Sequence, residues 1–469
     1  CHDHKFDPVS QADYYAMAGI FESTRTMESL KRIAKWNENE VPLAADLQQQ
    51  RAYQERLDSK QKQIDELLAQ ATLSAATGTG APTAPPDEAT LPENTRQSLK
   101  TLRTELDELK KAAPITPTAM GVHEGDIHHS HICVRGSHLS PSRTVARNVP
   151  VVLQESESPT SVPETSSGRR ELAEWLVGDA HPLTSRVIVN RVWRWHFGRG
   201  IVASPDNFGK LGEKASNQAL LDWLAVDLRE SGWSLKQLHR SILLSAAWQR
   251  SGGNNPAAES ADPENALLWK YPTRRLEAES IRDALLFVSG RLDPAMGGSL
   301  LHVANREFIF NHTSKDETNY ESCKRSVYLP VIRNNLYDGF SLFDYTDASV
   351  PNGNRSESTV ASQSLFLMNS SLAEDCAAAL AINLLAIEAP ARRVQSLYER
   401  SYGRPASDDE IAEILHAVQG LQTVIAATTE SDEKQQNLDA ESPEVSPEQT
   451  AWAAICQTIL MSNEFLYVR

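Results

Sequence analysis

Cysteine is scarce in this chain of 469 residues, with five at positions 1, 133, 323, 376 and 456. An odd number spaced so widely, in a chain long enough to build its own core, predicts no disulfide framework. Cys376 and Cys456 sit in apolar, helix-like surroundings and read as small buried hydrophobes. Positive charge is in deficit. A formal net charge of −16 argues against a broad phosphate-binding face and predicts no nucleic-acid partner. No run approaches the roughly 18–20 uninterrupted apolar residues of a membrane helix, so no transmembrane segment is expected in this chain. There is no Gly-x-Ser-x-Gly elbow and no His-Glu-x-x-His pair. Gly209-Lys-Leu-Gly-Glu-Lys214 lacks the spacing of a phosphate loop. The first residue is Cys1 rather than methionine, with no charged-then-apolar leader before it, so the chain reads as a piece of a longer protein.

What is present suits two or three domains, because 40% of the residues are hydrophobic over a length too great for one ordinary core. The patterning predicts a mainly α fold: a multi-helical C-terminal domain, a small β element and a protruding helical hairpin arm. A short helix at 11–21 carries Tyr14, Tyr15, Ala18 and Phe21 on one face. From 42 to 73, Leu43, Leu47, Leu57, Ile64 and Leu68 fit a seam diluted by Gln50, Gln54 and Gln61. Past an Ala/Thr/Gly/Pro linker at 75–92, Leu99, Leu102, Leu106 and Leu109 form a second stripe, and the two close as the arm, 28–120. Alternation at 127–153, with Ile132 and Val134 opposite His131 and Cys133 and a turn at 135–137, predicts strands that include 151–153. This β element and a Ser/Thr/Pro-rich linker occupy 121–164.

Helices dominate 165–469. Thr184 is expected to cap one that carries Val187, Ile188, Val192 and Trp195 and stops at Gly198. Ser216 and Ser234 are expected to cap the next two. Another spans 277–288 and closes at Gly290. Residues 326–331 read as a strand, and the acidic stretch 428–448 as a disordered loop.

The most chemically loaded stretch is Cys1-His-Asp-His-Lys-Phe-Asp-Pro8. A c-type haem is attached through Cys-x-x-Cys-His, in which the thiols form thioethers and the imidazole ligates iron. Cys1 and His2 match the last two residues of that motif. His4 with Asp3 or Asp7 reads as orienting His2 or capping the next helix. His128, His129, His131 and Cys133 make a second cluster. Without a Cys-x-x-Cys or His-x-x-x-His partner they read as surface imidazoles rather than a zinc site. Asn190, Arg191, His196 and Asp206, with Arg275, Glu279, Arg282 and Asp283 from a later helix, form a candidate ligand cleft, set against the plainer reading of an ion-pair network between helices.

Several longer motifs carry a family resemblance. Cys1 to Tyr15 resembles the end of the cytochrome-associated domain (domain of unknown function 1549) of a planctomycete-specific, cytochrome-linked family. Arg186-Val-Ile-Val-Asn-Arg-Val-Trp-Arg-Trp-His-Phe-Gly-Arg-Gly200, Pro205-Asp-Asn-Phe-Gly209, Gly232-Trp-Ser-Leu-Lys236, Arg275-Leu-Glu-Ala-Glu-Ser-Ile-Arg-Asp283 and Ser462-Asn-Glu-Phe-Leu-Tyr467 resemble the family's C-terminal domain (domain of unknown function 1553). The likeness makes 1–27 the remnant of the upstream domain and covers about 121–469 with the C-terminal one. It implies an extracytoplasmic protein of the periplasm or cell envelope, with no established reaction. It also implies haem c in the full-length protein, with Cys1 forming a thioether and His2 ligating the iron if a second cysteine lies upstream. This fragment alone is expected to hold none.

The leading expectation is an accessory or docking module for haem electron transfer, with a redox or envelope protein as partner. The alternatives are an envelope scaffold that recognises a polysaccharide or protein, and a hydrolase using Glu279, Asp283 and His196. No catalytic residue is assigned, and whether the chain is an enzyme is left open.

Overall fold

The computed structural model describes residues 2–30, 35–75, 92–154, 160–179, 181–303, 318–433 and 446–468. Sixteen α-helices and only short strands are found among them, a mainly α fold with small β elements. The chain divides into two compact units, Tyr14–Asn148 with Ser161–Arg169, and Cys1–Asp13 with Val149–Thr160 and Arg170–Arg469.

The first of these units is built round a helical hairpin. Ala44–Ala75 and Glu93–Lys111 pack through a thin seam of Ile64, Leu99 and Leu106, the leucine stripe placing its members on one helix face. Lys60 Nζ meets Glu105 at 2.5 Å, and the Tyr53 hydroxyl donates to the Leu109 carbonyl at 3.2 Å. Below the hairpin, strands Lys35–Glu40 and Thr118–Gly121 pair antiparallel, Glu40 opposite Thr118 and Asn37 opposite Gly121. Both helices thus leave from a β stem. That stem lies within the stretch read as continuous arm, where Lys, Trp, Asn and Glu supply little alternation. The linker read at 75–92 lies, from 76 to 91, outside the described residues.

The His-rich strand Ser130–Cys133 pairs with Pro141–Val145. The expected partner 151–153 is instead a 3-10 turn, because Val151 N–H is taken by the Asp13 carboxylate at 3.0 Å and is lost to any ladder. Arg147, 3% exposed, donates to the carbonyls of Ser166 (2.5 Å) and Pro163 (3.0 Å), holding the segment that leads to Arg169.

The larger unit has two apolar cores. One gathers Val189, Val192, Trp193 and Phe197 with Leu221, Leu224, Leu228, Leu238 and Ile242. The other centres on the helices Ser371–Leu385 and Pro447–Leu460, where Cys376, Leu380, Leu384, Ala451, Trp452 and Cys456 are at most 1% exposed. The four described cysteines are free thiols, and burial pushes those of Cys376 and Cys456 up. No single described helix is long and apolar enough to cross a membrane.

The helix Thr184–Phe197 ends at Gly198, whose φ of +79° is a conformation that favours glycine, and whose N–H returns to the Arg194 carbonyl at 2.7 Å. Its first turn is not capped by Thr184. His181 Nδ1 accepts from Leu183 N and Thr184 N instead, since an imidazole held at the helix start competes for the same free amides. Asn217 caps the following helix, while Ser216 bonds back to the Ile201 carbonyl. Ser234 caps the third. Residues 326–328 form a 3-10 turn where a strand was expected. Asp283 accepts from Ser326 N and Oγ, and Arg282 takes the Lys324 carbonyl, so helix side chains consume the groups that a strand would offer a neighbour. Of the acidic stretch 428–448, the part 434–445 lies outside the described residues, and its flanks are helical.

Candidate functional site

The loop 205–210 is gripped on both sides. Asp206 Oδ1 pairs with Arg191 at 3.2 Å and its Oδ2 accepts from Gly353 N at 2.6 Å; a Cβ on Gly353 would collide with that carboxylate. Asp7, within the motif that follows Cys1 and His2, accepts from Lys210 N at 2.7 Å. Its Oδ1 lies 2.6 Å from where a Cβ of Gly209 would stand, so only glycine permits this approach. Residues 3–13 are tied further by Gln11 N to Asp3 (2.8 Å) and by Ser10 and Asp13, which cap the helix Gln11–Glu22. Asp13 also accepts from Val151 N, and these hydrogen bonds hold its carboxyl below the usual range although burial pushes the other way.

Beside that loop, Gly353 and Asn354 lead into Arg355, which enters a cleft of about 60 Å³ together with Arg194, Arg274, Arg275, Asp344 and Glu277. Strand Arg274–Arg275 pairs with Tyr467–Val468, and Leu276 N donates to the Leu466 carbonyl at 2.8 Å, so the chain's last turn fixes the two adjacent arginines. Arg275 donates to Asp344 at 2.6 Å, and Asp344 also accepts from Ser358 N and Oγ, each at 2.8 Å. Burial raises the Asp344 carboxyl, but the Ser358 amide and Arg275 outweigh it and leave the group below the usual carboxylate range. Arg355 holds Glu279 in a two-armed pair at 2.6 and 2.8 Å and reaches Glu277 at 3.1 Å. Planar guanidinium and carboxylate match in this geometry, which fixes Arg355 against the helix Ala278–Val288.

The eight residues expected to share one cleft therefore part company. Arg275 lines it, and Glu279 acts through Arg355. Arg191 and Asp206 secure the adjoining loop. Asn190, fully buried, exchanges hydrogen bonds with both backbone groups of Val202 (2.8 and 2.9 Å) and is a staple rather than a rim. His196 Nε2 lies 2.7 Å from His239 Nδ1, with its ring edge-to-face on Trp248; burial first, then His239 and Arg274, push its pKa down. Arg282 and Asp283 serve the turn at 322–326. No hydrogen bond or ion pair joins Glu279, Asp283 and His196 to one another among the described residues.

Sequence reasoning left Arg194, Arg274, Asp344 and Arg355 out of the cleft. Arg194 was visible in its Arg/Trp-rich helix, but Asp344 and Arg355 lie in irregular chain where no periodicity gives direction.

Cys1 lies outside the described residues. His2 is exposed and its Nδ1 donates to the Asp3 carbonyl at 2.6 Å; with that proton placed, Nε2 is the nitrogen left to accept, as an iron ligand requires. His4 Nδ1 accepts from Asp7 N at 2.9 Å, which turns the segment. In the other histidine cluster, His128 bonds to the Asp126 carbonyl, His129 to Glu164 and His131 to Thr144. No three His, Cys, Asp or Glu side chains among the described residues converge as a metal site requires.

A family model described as PSD1, protein of unknown function (DUF1553), matches residues 168–418, just over half of the chain. A second, described as PSCyt2, protein of unknown function (DUF1549), matches residues 1–26. No curated protein and no solved structure matches.

Proposed function

For a chain that belongs to the PSD1 family of domain of unknown function 1553, we propose a docking role. The C-terminal helical domain holds the end of an adjoining c-type haem domain outside the cytoplasm and presents it to a redox or envelope partner. The observation that carries this reading is the seat of Asp7 on the Gly209–Lys210 backbone. A segment matched by one family model is held by a side chain against a loop matched by the other. Such a lock uses one charge-assisted hydrogen bond to a backbone amide, worth roughly 1.5–3 kcal/mol, and depends on glycine at 209.

His2 fits the part of iron ligand through the tautomer fixed by Asp3, and Cys1 that of a thioether donor. Haem held there would supply one-electron chemistry. What this chain contributes is position: Asp3, His4 and Asp7 turn the segment, and the loop 205–210 anchors it.

The test is a haem stain and a reduced-minus-oxidised spectrum on the natural protein, with whatever residues precede Cys1, exported in a host that matures c-type cytochromes. Covalent haem is expected in the wild type and in Asp7→Ala, and is expected to be lost in Cys1→Ala. In Asp7→Ala, limited proteolysis is expected to cut faster near residues 3–13. A wild type without haem overturns the redox reading, and unchanged proteolysis in Asp7→Ala overturns the docking one.

A further inference from the structure

Two of the four arginines in the cleft lack a carboxylate partner. Arg275 pairs with Asp344, and Arg355 with Glu279 and Glu277. Arg194 gives its Nε to the Asn354 side chain at 2.6 Å, and Arg274 gives one terminal nitrogen to the Trp195 carbonyl at 2.6 Å. Among the described residues neither has an acidic side chain within 4 Å. The remaining donors of these two half-exposed side chains make no further hydrogen bond among the described residues. Arg274 Nε and Arg275 Nε are buried with no partner at all, and Arg275 is 8% exposed. A buried donor left unmade carries the cost of its desolvation, and two such donors stand beside two guanidinium groups that lack a carboxylate partner.

We propose that this cleft is a binding site for a small oxyanion, a carboxylate or sulfate group that bridges Arg194 and Arg274 at the edge of the Arg275–Asp344 pair. Guanidinium forks match such groups in plane and charge. The cleft is small, about 60 Å³, which suits the acidic group itself. A larger ligand enters only by its anionic end. Burial lowers the Arg194 pKa, with Glu277 and Asp206 pulling against it and Arg355 and Arg274 pushing the same way, while Glu277, Glu357 and Asp344 also line the cleft. Asp344 adds a backbone φ of +61°, an uncommon conformation held here by Arg275 and Ser358.

The site is independent of haem, so the test uses the chain as it stands. Calorimetric titration at low ionic strength with sodium sulfate and, separately, sodium acetate is expected to give one saturable site for at least one of them. The affinity is expected to fall at least tenfold in Arg194→Gln and in Arg274→Gln, and to stay unchanged in Arg170→Gln, a surface control. Sulfate binding alone points to a sulfate ester, and acetate binding to a carboxylate. Arg194→Lys, which keeps the charge and loses the fork, is expected to bind more weakly than the wild type and serves if the glutamine variants do not fold. Heat that never saturates in the wild type, or saturates alike in all variants, overturns the proposal.

Discussion

The hairpin of residues 44–111 and the helices that meet at Leu380 and Trp452 are both α-helical, yet they are held by different means. The hairpin spans more than fifty described helical residues and buries three apolar side chains in its seam, Ile64, Leu99 and Leu106. The Ser371–Leu385 helix alone buries six, Ala373, Cys376, Ala377, Leu380, Ala381 and Leu384. Helicity is therefore no measure of stability here. In the hairpin, propensity, side-chain pairs and the β stem share the work. In the C-terminal helices burial does it, at about 25 cal/mol per Å² of apolar surface removed from water.

Truncating the thick core is the strongest way to probe that contrast. Leu380→Ala empties a site with no exposure and is expected to cost about 3–5 kcal/mol, read as a lower denaturant midpoint for most of the helical circular-dichroism signal. A loss under about 1 kcal/mol would mean that the C-terminal core collapses around the gap and is as soft as the hairpin.

Leu99→Ala makes the matching change in the thin seam, where Leu99 is 3% exposed. The expected cost is near the lower end, about 2 kcal/mol, because the hairpin surface can close over the space. It is expected to appear as faster proteolysis within 44–111 with the main unfolding transition unmoved. If instead the main transition shifts as far as it does in Leu380→Ala, the two regions unfold together and the comparison breaks.

How much of this was legible beforehand follows the same line. The leucine stripe at 99, 102, 106 and 109 pointed to the hairpin, and Gly198 and Gly290 marked helix ends because periodicity and left-handed caps are local signals. The strand expected at 326–331 failed where Asp283, on a helix some forty residues away, claims its first amide and Arg282 claims the Lys324 carbonyl just before it, and Val151 was claimed likewise by Asp13. The site was legible only in part. Arg275 and Glu279 stand in one motif, but Arg355, which joins them to the cleft, lies in irregular chain whose position depends on Asp206 and Gly353. Contacts between distant segments leave no periodic trace.

The smallest effect concerns charge, and it refines the contrast within the larger unit. Arg404 forms two-armed contacts with Glu410 at 2.8 and 2.9 Å and with Glu464 at 2.7 and 3.1 Å. Its guanidinium, followed by the Ser407 amide, holds the Glu410 carboxyl down to about 2. The unfolded glutamate titrates near about 4.3, so below that pH the unfolded chain binds the proton first. The stabilisation is thus complete above about pH 4.3 and is lost as pH falls towards 2. Solvent reaches this pair, with the Arg404 side chain 39% exposed, so screening reduces the contribution to about 1 kcal/mol. Glu410→Gln is expected to lower stability by that amount at pH 7 and to flatten the acid limb below about pH 4.3. The limb below about pH 6.5 is expected to remain, because burial holds His181 and His196 under the ordinary histidine value and the unfolded chain again takes up those protons first. Chemical denaturation of both proteins from pH 7 to 3 checks this. An acid limb below about pH 4.3 that is equally steep in the variant would show that other carboxylates set it and that the Arg404 pair contributes little.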